Sequence, residues 1–318
     1  MQHFDASQVR EFLPIGECIE AMAEAMKAVS SGNVTLPPRT YMPAPQQSAF
    51  LVVMPGCVLQ PKILGLKVLT LYPHNPQSDL PTLQGFVALF DPMTGAPLAM
   101  IDGVEVTRIR TAAVSALATR ELARQNAKSL GILGCGVQAH EHIDAIAAVR
   151  PVNEIRVWGR SYRKAVEFAA LHAARTGNRV SAVRDAADAA SCDIVCTVTR
   201  SREPVIRGAW VQPGAHVNLV GGHSADTREA DSALVSKSRV YVDSRVAAAI
   251  EAGDLLVPRA AGEIDEGHVV GELGELLLQK IGGRRDQTEI TVFKSLGLAA
   301  QDLLAAWYVL QRARAVAS

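Results

Sequence analysis

The chain has 318 residues, 48% of them hydrophobic, with 32 Lys plus Arg set against 32 Asp plus Glu. That length predicts one large or two medium domains with a substantial core, and the zero net charge removes the electrostatic case for nucleic acid or an anionic membrane as a partner. Five cysteines (Cys18, Cys57, Cys135, Cys192 and Cys196) without a Cys-x-x-Cys spacing argue against a disulfide framework or a bound metal, and the absence of a basic-then-apolar leader or a long uncharged apolar stretch predicts a soluble, cytoplasmic protein.

A helix is predicted from Ile15 to Val29. Pro37, Pro38, Pro43 and Pro45 break any helix after Ser31. Short β-rich runs follow at Ala49–Met54, Ile63–Leu71, Gly85–Phe90 and Leu98–Asp102. Turn signals stand at Pro55-Gly56 and at Asp91-Pro92-Met93-Thr94-Gly95. The segment before about Thr107 therefore reads as a separate domain, an antiparallel sheet preceded by a helix. Thr111 to Arg124 is Ala-rich and helical, with Thr111 as its N-cap or as a phosphate contact.

The middle of the chain alternates strand and helix. Strands are predicted at Ser129–Leu133, Glu154–Trp158, Arg179–Val183, Asp193–Val198, His216–Val220 and Arg239–Val242. Helices are predicted at Val137–Val149, from the N-cap Ser161 to about Arg175 with Gly177 at its end, and at Asp185–Ala190. Such alternation implies a parallel sheet covered on both faces. The helical pattern from Leu298 to Arg314 either ends this domain or packs back on the first one, making that one discontinuous.

Between the first predicted strand and helix lies Gly134-Cys135-Gly136-Val137-Gln138-Ala139, a Gly-x-Gly-x-x-Ala fingerprint in the context a dinucleotide site needs. Gly134 allows a tight turn, Gly136 leaves room for a pyrophosphate, and Ala139 lets the helix pack close to the strand. The helix start, with Val137 and Gln138, offers N–H groups to the phosphates. A tight turn with no ligand is the plainer alternative. The second strand ends in Trp158-Gly159-Arg160-Ser161, where an NAD site usually has Asp or Glu for the ribose. Arg160 suits a 2′-phosphate instead, with Ser161 and Arg163 as further contacts. NADP(H) is therefore expected ahead of NAD(H), against the plainer reading of Arg160 as a solvated loop residue.

Several stretches resemble the ornithine cyclodeaminase/mu-crystallin family along nearly the whole chain. They include Pro38-Arg39-Thr40, Leu66-Lys67-Val68-Leu69-Thr70, Phe90-Asp91-Pro92 with Thr94-Gly95, and above all Thr107-Arg108-Ile109-Arg110-Thr111-Ala112-Ala113-Val114-Ser115-Ala116-Leu117-Ala118. Leu219-Val220-Gly221-Gly222, Arg228-Glu229-Ala230-Asp231 and Thr291-Val292-Phe293-Lys294-Ser295-Leu296-Gly297 add to it. The resemblance implies an α/β fold: a Rossmann-type doubly wound parallel sheet at 113–297, and a second α+β substrate-binding and dimerisation domain made of 1–112 and 298–318. It also implies a homodimer and a small α-carboxylate substrate, held by residues matching Arg39, Lys67 and Arg110.

Two guanidiniums and an ammonium suit a carboxylate, and all three lie in apolar or Pro-rich surroundings where an idle charge is costly. Arg108 competes with Arg110 for the assignment, but the Arg-Thr-Ala-Ala register favours Arg110. The resemblance also points to Gln84 as a polar pocket residue, to Thr197 at the cofactor, and to Ser295 and Gly297 at the nicotinamide end. Cyclodeaminases of the family carry a carboxylate directly after the Gly-Gly or Gly-Ala pair; here His223 follows Gly221-Gly222. Mu-crystallin-like members carry an Asp three positions later, matched by Asp226, which here could equally cap a helix through Arg228 and Glu229. A cyclic imine needs a proton on nitrogen more than a fixed anion, so His223, Asp226 and Lys67 are the catalytic candidates. The reading is an NAD(P)H-dependent reductase of cyclic ketimines. Ornithine cyclodeaminase, an alanine-dehydrogenase-like enzyme and a non-enzymatic ligand binder are the alternatives.

Overall fold

The computed structural model describes residues 1–46 and 48–317. The chain divides into two compact units, one of Met1–Arg110 with Gly297–Ser318 and one of Thr111–Leu296.

The first unit is built on a seven-stranded sheet. Its strands are β1 (Gln2–Phe4), β2 (Val34–Thr35), β3 (Thr40–Pro43), β4 (Phe50–Val58), β5 (Ile63–Leu71), β6 (Leu83–Phe90) and β7 (Pro97–Asp102). They are ordered β1-β7-β6-β5-β4-β2, with β3 also on β4. The pairing is antiparallel except between β1 and β7. Helix Ile15–Ser30 and the C-terminal helix Ala299–Ala317 pack on each other, and the latter also packs on β4 and β5. Leu303, Leu304, Ala306, Val309 and Leu310 are wholly buried, at the helical spacing of a core-facing side.

Pleat alternation sorts the sheet residues into two faces. Lys67 shares a face with its partners Met54 and Val87, both buried. The other face carries Leu64, Phe86 and Met42, which are 38%, 36% and 52% exposed.

Pro55-Gly56 is not a turn: both residues lie inside β4. On one side they pair with Leu66 and Gly65 of β5. On the other, β3 reaches only to Val53 and β2 begins at Cys57. A residue without an N–H is tolerated where no neighbouring strand asks for one. The helix expected from Thr111 starts two turns earlier and runs Gly103–Leu122. Asp102 Oδ1 accepts from the Glu105 amide at 2.7 Å and so starts it. Thr111 is consequently mid-helix and no cap.

The second unit holds an eight-stranded, all-parallel sheet: β8 (Ser129–Leu133), β9 (Glu154–Trp158), β10 (Arg179–Ala182), β11 (Ile194–Thr197), β12 (His216–Leu219), β13 (Arg239–Val242), β14 (Val269–Glu272) and β15 (Thr291–Lys294). The order is β10-β9-β8-β11-β12-β15-β13-β14. The β10-β9-β8-β11 half is the doubly wound arrangement whose strand ends bind dinucleotides. β15 is fully buried between β12 and β13. Ser161 and Asp185 cap their helices, and Gly177 ends one with φ +69°.

Candidate active site

In the second unit, β8 turns into helix Val137–Ala147 through Gly134-Cys135-Gly136. Gly134 has φ +122°, which side chains rarely adopt, and a Cβ there would lie 2.8 Å from the Val198 carbonyl oxygen. Gly136 is the N-cap, exposed, with no side chain on the helix's first amides. Nothing lies within 4 Å of where its Cβ would stand. Open space in front of uncapped N–H groups fits a pyrophosphate. Ala139 is fully buried, while Val137 is 52% exposed and Gln138 half-buried.

The helix is anchored by His142, fully buried four residues beyond Gln138. Its Nδ1 donates to the Gln138 carbonyl at 2.7 Å, because a carbonyl only accepts. Nε2 therefore accepts from the Ser115 hydroxyl at 3.0 Å. Burial holds the ring's pKa down to about 4, so it stays neutral.

At the end of β9, Arg160 and Ser161 are exposed. Ser161 Oγ accepts from the Lys164 amide at 3.4 Å.

β11 and β12 end in a buried polar network. Glu229 accepts from Thr197 Oγ1 at 2.6 Å, the Thr199 amide at 2.7 Å and the Gly221 amide at 2.6 Å. Desolvation nevertheless raises its pKa. Asp254 accepts from the amides of Glu229 and Ala230, and its other oxygen pairs with Lys294 at 3.0 Å. Thr197 thus donates its hydroxyl proton to Glu229. This network fixes the start of the loop bearing His223, which is itself exposed.

Asp226 caps nothing. It pairs with Arg202 on the surface and accepts from Ser224 Oγ. The next helix, Ser232–Ser236, is capped by Asp231 instead. The Ser224 hydrogen bond and the Arg202 charge hold the Asp226 carboxyl below its usual range, which leaves it a poor acid. Ser295 is buried, and its amide continues the β12 ladder onto the Leu219 carbonyl.

In the first unit, four regions of the chain converge. Lys67 projects from mid-β5, Arg110 from helix Gly103–Leu122, Arg39 from the segment before β3, and Asp302 and Gln301 from the first turn of the C-terminal helix. Lys67 Nζ pairs with Asp302 Oδ2 at 2.7 Å, and Arg110 Nε with Oδ1 at 2.9 Å. Arg110 Nη1 donates to Gln301 Oε1 at 2.6 Å, and Arg39 Nη2 to the Gly297 carbonyl at 2.6 Å.

Asp302 and Gln301 are wholly buried, and Lys67 and Arg110 are 3% and 5% exposed. Two sealed cations share one carboxylate, so positive charge is in excess even before Arg39 is counted, and a further anion is electrostatically favoured there. Burial brings the Lys67 pKa down to about 8, with Arg110 and Arg39 pushing the same way and Asp302 opposing. Arg108 belongs elsewhere, paired with Glu105 at 3.3 Å.

Gln84 does not join this cluster. It pairs with Thr70, is exposed, and sits on the sheet face opposite Lys67. Gly297 does join it, in the same unit as the cations. Sequence reasoning missed Asp302 and Gln301, although two polar residues inside the apolar run from Leu298 to Trp307 were a legible signal.

A family model described as ornithine cyclodeaminase/mu-crystallin matches residues 3–317. The chain belongs to that family. Among its relatives, a Delta(1)-pyrroline-2-carboxylate reductase of Bacillus cereus is 36% identical over 97% of this chain and 95% of its own. The ketimine reductase mu-crystallin of Mus musculus is 39% identical over 91% and 88%. The structure of a Thermococcus litoralis Delta(1)-pyrroline-2-carboxylate reductase in complex with NADH and L-proline superposes with a TM-score of 0.95, at 36% identity, covering 100% of this chain and 98% of that one. The parallel-sheet unit is therefore a nicotinamide-dinucleotide domain, and the protein is an oxidoreductase of this family. Among the described residues, no group of His, Cys, Asp and Glu could hold a metal, and no helix is long and apolar enough to cross a membrane.

Proposed function

We propose that the protein reduces cyclic ketimines, Δ1-pyrroline-2-carboxylate or Δ1-piperideine-2-carboxylate, to L-proline or L-pipecolate. The carrying observation is the sealed excess of positive charge at Lys67 and Arg110. Arg39, Lys67 and Arg110 would hold the α-carboxylate, the group common to every substrate considered. The similar reductase complexed with L-proline, a cyclic amino acid with one ring nitrogen, supports this reading.

The bound cofactor would supply the hydride to the imine carbon, and the protein must supply a proton to nitrogen. Lys67 is the buried group of the cluster whose pKa, about 8, lies near neutrality. It is the better-supported proton donor. His223 is the second candidate, from an exposed loop. A cyclodeaminase would have a fixed anion where His223 stands, to meet the ammonium of an acyclic diamine.

NADP(H) is the proposed cofactor, because Arg160 rather than an acidic residue follows the end of β9. A homodimer is proposed through the outer face of the first unit's sheet, where Met42, Leu64 and Phe86 remain exposed.

The test is the loss of reduced-nicotinamide absorbance with each cyclic imine, using NADPH and then NADH. Turnover that prefers NADPH is expected. Ammonia release from L-ornithine with NAD+, and no imine reduction, would overturn the reading in favour of a cyclodeaminase.

A further inference from the structure

β9 and β10 run parallel with Val157 opposite Ala182, and the Val183 amide extends the ladder onto the Val157 carbonyl at 2.9 Å. The chain therefore leaves both strands side by side, as Gly159-Arg160-Ser161-Tyr162 from one and Arg184-Asp185 from the other. Both exits are at the carboxyl ends of the strands, where open parallel sheets bind ligands.

The two exits touch. The Arg184 guanidinium carbon lies 4.1 Å from the centroid of the Tyr162 ring. Stacking on the ring limits the rotamers of an otherwise exposed arginine while leaving its in-plane N–H donors unspent. Two carboxylates close to these exits in sequence are engaged elsewhere: Asp185 caps the following helix through the Ala187 amide, and Glu167 pairs with Arg163 at 2.7 Å. Ser161 Oγ spends a lone pair on the Lys164 amide and keeps its proton to donate. Lys164, one turn into the helix that Ser161 caps, acts electrostatically on Cys135 of the fingerprint loop, pulling its thiol pKa down against the larger upward push of burial.

We propose that Arg184, held on Tyr162, is a second guanidinium of the 2′-phosphate site. It would close on the phosphate from the β10 side while Arg160 approaches from the β9 side. A dianionic phosphate has three acceptor oxygens, more than one arginine fork can satisfy. The inference rests on the NADP(H) reading above, and it assigns a specificity-determining role to a residue outside the β9 loop.

The test is calorimetric titration of the full-length protein with 2′,5′-ADP and with 5′-ADP, which need no turnover. The wild type should bind 2′,5′-ADP more tightly. Arg184→Met should weaken 2′,5′-ADP about tenfold or more, the scale of one charge-assisted hydrogen bond, and leave 5′-ADP nearly unchanged. Tyr162→Phe should behave as wild type, and Tyr162→Leu should lose part of the preference. Equal weakening of both ligands by Arg184→Met would overturn the proposal in favour of stacking on adenine; no weakening of either would overturn it outright. If Arg160→Met abolishes the preference and Arg184→Met does not, the NADP(H) reading stands and this inference falls. A wild type that does not discriminate removes both.

Discussion

Lys67 Nζ and Asp302 Oδ2 face each other at 2.7 Å, the lysine 3% exposed and the aspartate sealed completely. Asp302 is also the carboxylate that Arg110 leans on. Removing its charge leaves two buried cations facing each other, and losing one partner of a buried pair costs about 3–5 kcal/mol. Asp302→Asn should therefore lower the denaturation midpoint sharply, and added L-proline, whose carboxylate replaces the missing anion, should restore part of it. Thermal scans with and without L-proline check this; a variant as stable as wild type would remove Asp302 from the clamp.

As the proposed proton donor, Lys67 should make the rate depend on pH. Its proton is present below about pH 8 and lost above it, so kcat/KM should fall as pH rises through that value. Lys67→Arg keeps the charge but does not titrate in this range. Its profile should lose that limb while its maximal rate drops. A limb that persists in Lys67→Arg would assign the ionisation to another group.

Three buried histidines weaken the fold in acid. Burial holds His216 at about 3 and His142 and His172 at about 4, all below the ordinary 6.5. Below pH 6.5 the unfolded chain takes up protons that the folded sites refuse, so stability present above that pH is lost as pH falls toward the folded values. Each site contributes a slope of about 1.4 kcal/mol per pH unit inside its window. His142→Gln should flatten the fall in urea midpoint between about pH 6.5 and 4. An unchanged slope would show that His142 is not one of the groups responsible.

A substitution at Gly136 should separate folding from cofactor binding. No atom lies within 4 Å of its missing Cβ, and its φ of −93° suits any residue. Gly136→Val should therefore unfold at the wild-type temperature without cofactor and yet bind NADPH at least about a hundredfold more weakly, by filling the phosphate approach. Fluorescence titration with NADPH reads this; normal affinity would place the phosphates elsewhere.

Much of the nucleotide half was legible because its signals are local. Ser161 and Gly177 bracket their helix as capping residues should, and Gly134 has the backbone its motif implies. β15 was passed over as a strand, although Thr291-Val292-Phe293 is β-branched and aromatic, because strands are read one at a time and sheet order is not. Pro55-Gly56 misled because whether a proline is tolerated depends on which neighbour its strand lacks. Arg39, Lys67 and Arg110 were recognisable as cations in apolar surroundings. The pairing of Lys67 and Arg110 on one carboxylate was not, since Asp302 meets Arg110 across 192 residues of sequence. Gln84 lies on the face opposite Lys67, and one step of strand register decides which face it occupies.

Gly297 adopts φ +78°, and a Cβ there would stand 2.7 Å from the Arg110 guanidinium. Gln301 and Asp302 follow it by four and five residues, so these acceptors for Arg39, Lys67 and Arg110 all come from one short stretch made long after the cations themselves. During synthesis the sheet of the first unit can pair its strands early, but its three cations wait without their counterpart until the whole nucleotide domain has emerged. A fragment ending before Gly297 would leave those charges without these acceptors and the sheet without its C-terminal helix.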